Sequence, residues 1–479
     1  MLKLFGTFSL LIGLSFLIAV SVIFAADERV YLTMGFRVGE VTQTSAVVWT
    51  RVCSVPVRRG DGIRDLGRPG PKSAEYVPLA HPVTEFEGSV PGAEGEVRVH
   101  YATTPQMKDV KTSPWIQVSE ADDFAALVRL ERLTPGQQYH LRVEARPGTG
   151  GSLTTSPVGS FQTPVAANQK QDVSFTVVTG QAYKDVDHFD GYTIYPSMLE
   201  LQPKFIVLTG DTVYYDNEKP RARTVELARY HWHRMYSLPR LVEFHRFVPG
   251  YWLKDDHDIL ADDTWPGHDP EWMKPMTFEQ GQKIFREQVP VGDSPYRTIR
   301  WGKDLQIWLV EGRDFRSPNP QPDGPTKTIW GKEQLEWLKE TVIQSDATYR
   351  VLVSPTPIVG PDRPRKNDNH ANSGFSYEGN LFRSWTKEQG LSNFFVICGD
   401  RHWQYLSVDP ASGLREFSCG PASDEHSGGT PGEDPAYHRF HRVGGGFLSV
   451  SVSRQNDRPE IAFRLHDVLG NVVYERIYP

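Results

Sequence analysis

The chain has 479 residues, 39% of them hydrophobic and 23% charged, the composition of a folded globular protein rather than a disordered one. That length exceeds what one hydrophobic core ordinarily serves and points to two domains. A net charge of −7 offers no general attraction for nucleic acid, so an anionic ligand would need a local basic patch or metal ions.

The chain opens with Met1 and Lys3, followed by an uncharged apolar run from Leu4 to Ala26. Ala25 and Ala26 before Asp27 offer a cleavage site, so residues 1–26 read as a signal peptide. The run is long enough that an uncleaved membrane anchor stays open. Either way the remainder is expected outside the cytoplasm, secreted, periplasmic or at the cell surface.

Residues 27–166 carry short alternating runs separated by turn residues: Thr44–Thr50, Glu96–Tyr101, Phe124–Leu130 and Tyr139–Val143. None sustains a 3.6-residue period, which predicts an all-β sandwich of the immunoglobulin or fibronectin III type. The Pro- and Gly-rich stretch Ser54–Gly95 reads as a long insertion loop.

From 167 to 479 the pattern changes. Continuous apolar strands (Phe175–Val178, Phe205–Leu208, Ile307–Val310, Val351–Val353, Phe394–Ile397) alternate with helix-like segments at Gly191–Leu201, Arg221–Tyr236 and Lys332–Ile343. This predicts an α/β domain whose sheet is covered on both faces, ending in antiparallel strands after Phe447. Cys53, Cys398 and Cys419 are too few for a disulfide framework. Cys398 reads as a small buried hydrophobe, with a Cys398–Cys419 bridge left open.

Three of these strands end alike, in Thr179-Gly180-Gln181, Thr209-Gly210-Asp211 and Cys398-Gly399-Asp400. Ligands in α/β sheets bind beyond the carboxyl ends of strands, so Asp211 and Asp400 are placed toward one crevice. Tyr214 follows Asp211 closely. Between Asp255 and Asp263 five Asp and one His (Asp256, His257 and Asp262 among them) fall within nine residues. Such crowding requires either a cation or full solvation, and the flanking Tyr251, Trp252 and Trp265 argue against a solvated loop. His402, two residues after Asp400, reads as an imidazole ligand or a general acid. Scattered Asp and His on several loops suit a two-metal hydrolytic site better than a structural zinc site. Arg313 and Arg316 follow the Ile307–Val310 strand; they fit a bidentate phosphate clamp and surface salt bridges equally well.

The segments GDTVYYD, KDDHDILADD, EGRDFRSPNP and GDRHW, with MGFRVGEVTQTSAVVWTR near the start, resemble the ordered signature blocks of the PhoD-like alkaline phosphatase family, within the calcineurin-like metallophosphoesterases. The resemblance implies a β-sandwich followed by a four-layer αββα core that hydrolyses phosphomonoesters or phosphodiesters with iron and calcium. By position it makes Asp211 the bridging ligand, Tyr214 an iron phenolate, Asp262 a replacement for the family's Asn, and His402 a metal ligand with Asp400 in the same block. His257, beside Asp256, would contact phosphate or protonate the leaving group. The family's iron-binding Cys is replaced by Gly180, with Gln181, Asp185 or His188 as substitutes or the position left open. Without the thiolate, manganese or zinc also become reasonable occupants.

The sequence therefore predicts an exported metal-dependent phosphoester hydrolase acting on a small-molecule or polymeric substrate, with no nucleic-acid partner and no readable oligomeric state. Hydrolysis of a sulfate ester or phospholipid head group, and a catalytically weakened surface binding protein, are the alternatives. Asn367–Asn380 and Ser317–Pro325 are expected to shape the pocket, the former as a lid. His370 either reaches the site or caps a turn, and His426 is either a ligand or a loop residue.

Overall fold

The computed structural model describes residues 29–65, 69–73, 75–76, 78–148 and 151–479. The predicted signal segment, residues 1–26, lies outside them. Among the described residues no helix is long and apolar enough to cross a membrane.

Alternation along the core strands explains the layering. Phe205 and Val207 face one core while Ile206 and Leu208 face another. On the second sheet Ile307, Val351 and Phe395 face inward while Trp308, Leu352 and Val396 face outward. A strand apolar on both faces must be covered on both. The inner faces of a nine-stranded and a seven-stranded sheet accordingly pack on each other. Helices Ile194–Glu200, Val225–Tyr236, Pro239–Phe247 and Phe278–Gln288 cover the first sheet. Helices Gly331–Gln344 and Ser376–Glu388 cover the second, completing the αββα arrangement. The C-terminal strands Phe447–Gln455, Arg458–His466 and Val472–Tyr478 are antiparallel, and the first of them borders Val173–Val178.

The N-terminal β-sandwich forms where Phe36–Gly39, Ser45–Arg51 and Ala125–Glu131 pack against the sheet containing Gly95–Ala102 and Gln138–Arg146. It is not a detached module. Phe36–Gly39 pairs in parallel with Gly250–Trp252 at Gly39–Gly250, so one sandwich sheet continues into the first sheet of the α/β core. A Cβ at Gly39 would lie 2.4 Å from the Pro290 carbonyl oxygen, so this close junction requires glycine. From the insertion loop, Arg58 reaches Glu87 and the Tyr183 hydroxyl at the base of the core.

One question left open is answered here and one expectation is corrected. Cys398 and Cys419 are both free and buried, with no bridge between them. Asn367–Asn380 is not an open lid: Asn369 and His370 are buried, and a helix begins at Ser376. His370 Nε2 binds Glu378 Oε2 at 2.8 Å and its ring packs on Trp330, so it serves the scaffold.

The helix Phe278–Gln288 starts with a capping box between Thr277 and Gln280. It presses Gly281 onto the backbone of Ile259, where a Cβ would fall 1.9 Å from the Ile259 oxygen. Elsewhere in a helix Gly→Ala gains up to about 1 kcal/mol. Here Gly281→Ala should instead cost about 1–3 kcal/mol by overpacking and displace the loop that carries Asp256 and Asp258. Urea unfolding measures this; unchanged or raised stability would contradict the packing argument.

Candidate metal centre

Gly residues at the strand ends bring the acidic loops together. A Cβ at Gly210 would lie 2.5 Å from the Asp255 Cβ, and one at Gly399 would lie 2.8 Å from the Thr209 carbonyl oxygen. The carboxyl ends of strands from the two packed sheets thus meet in one place. Asp211 and Asp400 both adopt positive φ, at 55° and 61°, which aims their side chains into the gap. Asp258 then locks the arrangement. Its buried carboxylate accepts hydrogen bonds from the backbone amides of Asp211 (2.7 Å), Thr212 (2.8 Å), Val213 (3.0 Å) and Asp255 (2.9 Å).

The result is a chain of carboxylates. Ligand-type atoms of Asp211, Asp255 and Asp400 lie within 4.8 Å of one another, as do those of Asp211, Asp256 and His257, and of Asp256, Asp262 and Asp263. Asp211 belongs to the first two groups and so stands where a bridging ligand would. Asp211 Oδ1 and Asp255 Oδ2 are buried without a hydrogen-bond partner. Two orphaned anionic oxygens converging in a buried crevice fit a hard cation. Asp262 is exposed, its side chain 50% accessible, and faces Lys366 at 3.3 Å, on the rim rather than in the crevice.

Burial pushes Asp211 well above the ordinary carboxylate range, with Asp256 reinforcing the effect. Burial also pushes Asp255 up to about 7, against the pull of Arg313. It works the same way on Asp256, but Arg313 and His257 outweigh it and hold that carboxyl below the usual range. Burial would discharge His257, yet Asp216 and Asp256 raise its imidazole well above its ordinary value. Asp216 Oδ1 meets His257 Nδ1 at 2.6 Å, fixing the ring and leaving Nε2 available.

The two arginines part company. Arg313 is fully buried, with Nε on Asp255 Oδ1 at 2.6 Å and Nη1 on the Thr264 carbonyl at 3.2 Å. It holds Asp255 and is not a surface residue, and its buried Nη2 has no hydrogen-bond partner. Arg316 binds the Gly312 carbonyl through Nε at 2.9 Å, while its buried Nη1 and Nη2 have no partner. Burial, and then Arg313, lower its guanidinium to about 10.

Tyr214 is buried beside this cluster, its ring 4.4 Å from that of His257. Its hydroxyl lies 2.8 Å from His426 Nε2 and 3.5 Å from His402 Nε2. Of the substitutes considered for the Gly180 position, Gln181 accepts the Tyr195 hydroxyl proton and His188 accepts the Asp190 amide. Only Asp185 points toward the centre, through His426. Sequence reasoning left Asp255, Asp258, Asp216, Lys366 and Asp368 out of the site. The first three stand in or next to motifs already singled out, and Asp368 lies in the Asn367–Asn380 segment, whereas Lys366, just before that segment, carries no local signal.

A family model described as PhoD-like phosphatase matches residues 175–445, and one described as PhoD-like phosphatase, N-terminal domain, matches residues 19–165. Alkaline phosphatase D of Bacillus subtilis (strain 168) is 23% identical over 428 residues, covering 78% of this chain; the match spans 65% of that relative's length. A solved structure of PhoD shares the fold with a TM-score of 0.70 at 17% identity, covering 93% of this chain and 88% of its own. A purple acid phosphatase from yellow lupin (Lupinus luteus) seeds gives a TM-score of 0.61 at 11% identity, covering 92% and 73%.

The pKa shifts fix a sign. In the folded, cation-free chain Asp211 and Asp255 keep protons that the unfolded chain releases above about pH 4. The native state then binds more protons, so its stability falls as pH rises from there toward 7. Asp256, held low, loses its contribution only in strong acid, outside this window. A cation replaces those protons. Calorimetry should therefore show the Tm gap between metal-loaded and chelated protein widening from about pH 5 to about pH 8. A pH-independent gap would contradict the assignment.

Proposed function

This chain belongs to the PhoD-like phosphatase family, and from that premise we propose that it is an exported, metal-dependent phosphoester hydrolase acting on phosphomonoesters, phosphodiesters or both. The observation that carries the reading is the convergence of Asp211, Asp255 and Asp400 with two buried oxygens lacking partners. Asp211 would bridge two ions, Asp255 and Asp400 would hold one side, and Tyr214 and His402 the other. When bound, the ions supply Lewis-acid polarisation of phosphoryl oxygens and an activated water nucleophile. Iron and calcium are the ions the family resemblance implies, and manganese or zinc also suit an oxygen and nitrogen donor set without a thiolate.

The chain's own groups divide the remaining work. Arg316 offers two unpaired N–H groups of a buried guanidinium to the phosphate, in the fork geometry that matches its oxygens. His257, oriented by Asp216, would carry a proton on Nε2 for the leaving oxygen. Asp262 and Lys366 form the rim, where they would meet the substrate's alcohol portion. Export is supported by the uncharged run Leu4–Ala26.

Turnover of nitrophenyl phosphate and bis-nitrophenyl phosphate tests this. Asp211→Ala should keep the fold, lose metal and lower kcat/KM by more than about 10³-fold, since metal polarisation contributes several kcal/mol. Retained turnover in that variant, or in chelated wild type, would sink the proposal. Arg316→Met should lower kcat/KM by roughly 10- to 100-fold, the worth of a charge-assisted hydrogen bond. Wild-type kinetics in Arg316→Met would remove Arg316 from the substrate site.

A further inference from the structure

His426 was absorbed neither by the carboxylate cluster nor by the proton-transfer roles. It closes the turn Asp424–His426, which follows the Arg415–Cys419 strand at the edge of the centre. Its Nδ1 meets Asp185 Oδ2 at 2.7 Å, and Lys184 Nζ holds the same carboxylate oxygen at 2.8 Å. A carboxylate partner fixes the proton on Nδ1 and directs the Nε2 lone pair toward Tyr214, 2.8 Å away. Beyond Tyr214 stands His402, its ring 4.2 Å from that of His426 and its Nε2 3.5 Å from the same hydroxyl. Two imidazole nitrogens and a phenol oxygen, types that bind metal ions, therefore meet with no other polar group between them among the described contacts.

The imidazole of His426 lies against Gly180. This residue has φ of +59°, and a Cβ on it would lie 3.4 Å from His426 Cδ2 and 3.1 Å from the Pro421 Cβ. A side chain here would start from a Cβ already tight against Pro421 and in contact with the imidazole ring. The small residue and the inserted histidine are two halves of one arrangement.

We propose that His426 is a metal ligand of this chain, completing a Tyr214–His402–His426 donor set beside Asp211, with Asp185 as its orienting carboxylate. The carboxylate–imidazole–metal order is the usual way a histidine ligand is held, and imidazole suits iron, zinc and other first-row ions. The inference rests on the metal-dependent reading above and assigns a ligand within it. Gly180 then marks an exchange of ligands and not an open coordination position.

Titration of the metal-free full-length chain with Co(II), followed by visible ligand-field absorption, tests it. Asp185→Asn should weaken binding by about 10- to 100-fold, as loss of an orienting partner does. His426→Ala should weaken it further and change the spectrum. If His426→Ala lacks the wild-type circular dichroism spectrum, His426→Asn carries the same comparison. A folded His426 variant with wild-type Co(II) affinity and spectrum overturns the assignment even if its turnover falls, since His426 would then act only through Tyr214. Wild type that binds no Co(II) overturns the metal-dependent reading itself, which separates the two failures.

Discussion

Asp211, Asp255 and Asp400 turn oxygens toward one another from three strand ends, and two of those oxygens are buried without a hydrogen bond. Mutual repulsion and desolvation both oppose this arrangement, and much of the surrounding structure reads as a response to it. Asp258 spends its whole carboxylate on four backbone amides, so that the Asp211 and Asp255 loops cannot separate. Arg313 is buried against Asp255, and Lys366 spans Asp262 and Asp263. These cations balance the outer carboxylates but leave the innermost oxygens unpaired. A metal ion would supply what the fold withholds.

How much of this was legible depended on whether a residue's role is local. The repeated strand, glycine and aspartate pattern is local: the glycines are needed where loops approach closely, and both aspartates sit at positive φ just beyond them. The cluster Asp255–Asp258 was visible as a cluster, but its division of labour was not. Asp255 and Asp256 join the ligand-type groups, Asp256 while also accepting the His257 and Asp263 amides, whereas Asp258 binds backbone alone, and that depends on how the turn winds rather than on composition. Arg313 and Arg316 looked interchangeable. One holds Asp255 and leaves only Nη2 without a hydrogen bond, and the other leaves both Nη1 and Nη2 without one, a difference set by a partner about 58 residues away in the chain.

The same contrast holds for the fold. Period-two strands and two-sided apolar strands identified the β-sandwich and the α/β core. Continuity of the sandwich with the core sheet rests on a single parallel pairing, Gly39 with Gly250, which leaves no periodic trace. His370 and the Asn367–Asn380 segment misled because a polar, glycine-containing stretch looks like a lid. Its buried hydrogen bond to Glu378 instead makes it part of the wall. Gly180 looked like a missing ligand, and the imidazole that lies against it, that of His426, comes from far along the chain.

The central claim is that a cation resides among these strand-end carboxylates. Anomalous scattering from crystals of the purified chain, collected at the absorption edges of the first-row metals and at longer wavelength for calcium, tests it most directly. The account predicts a peak enclosed by Asp211, Asp255 and Asp400. An active crystal form with no peak there, its carboxylates joined only by shared protons or water, would contradict it.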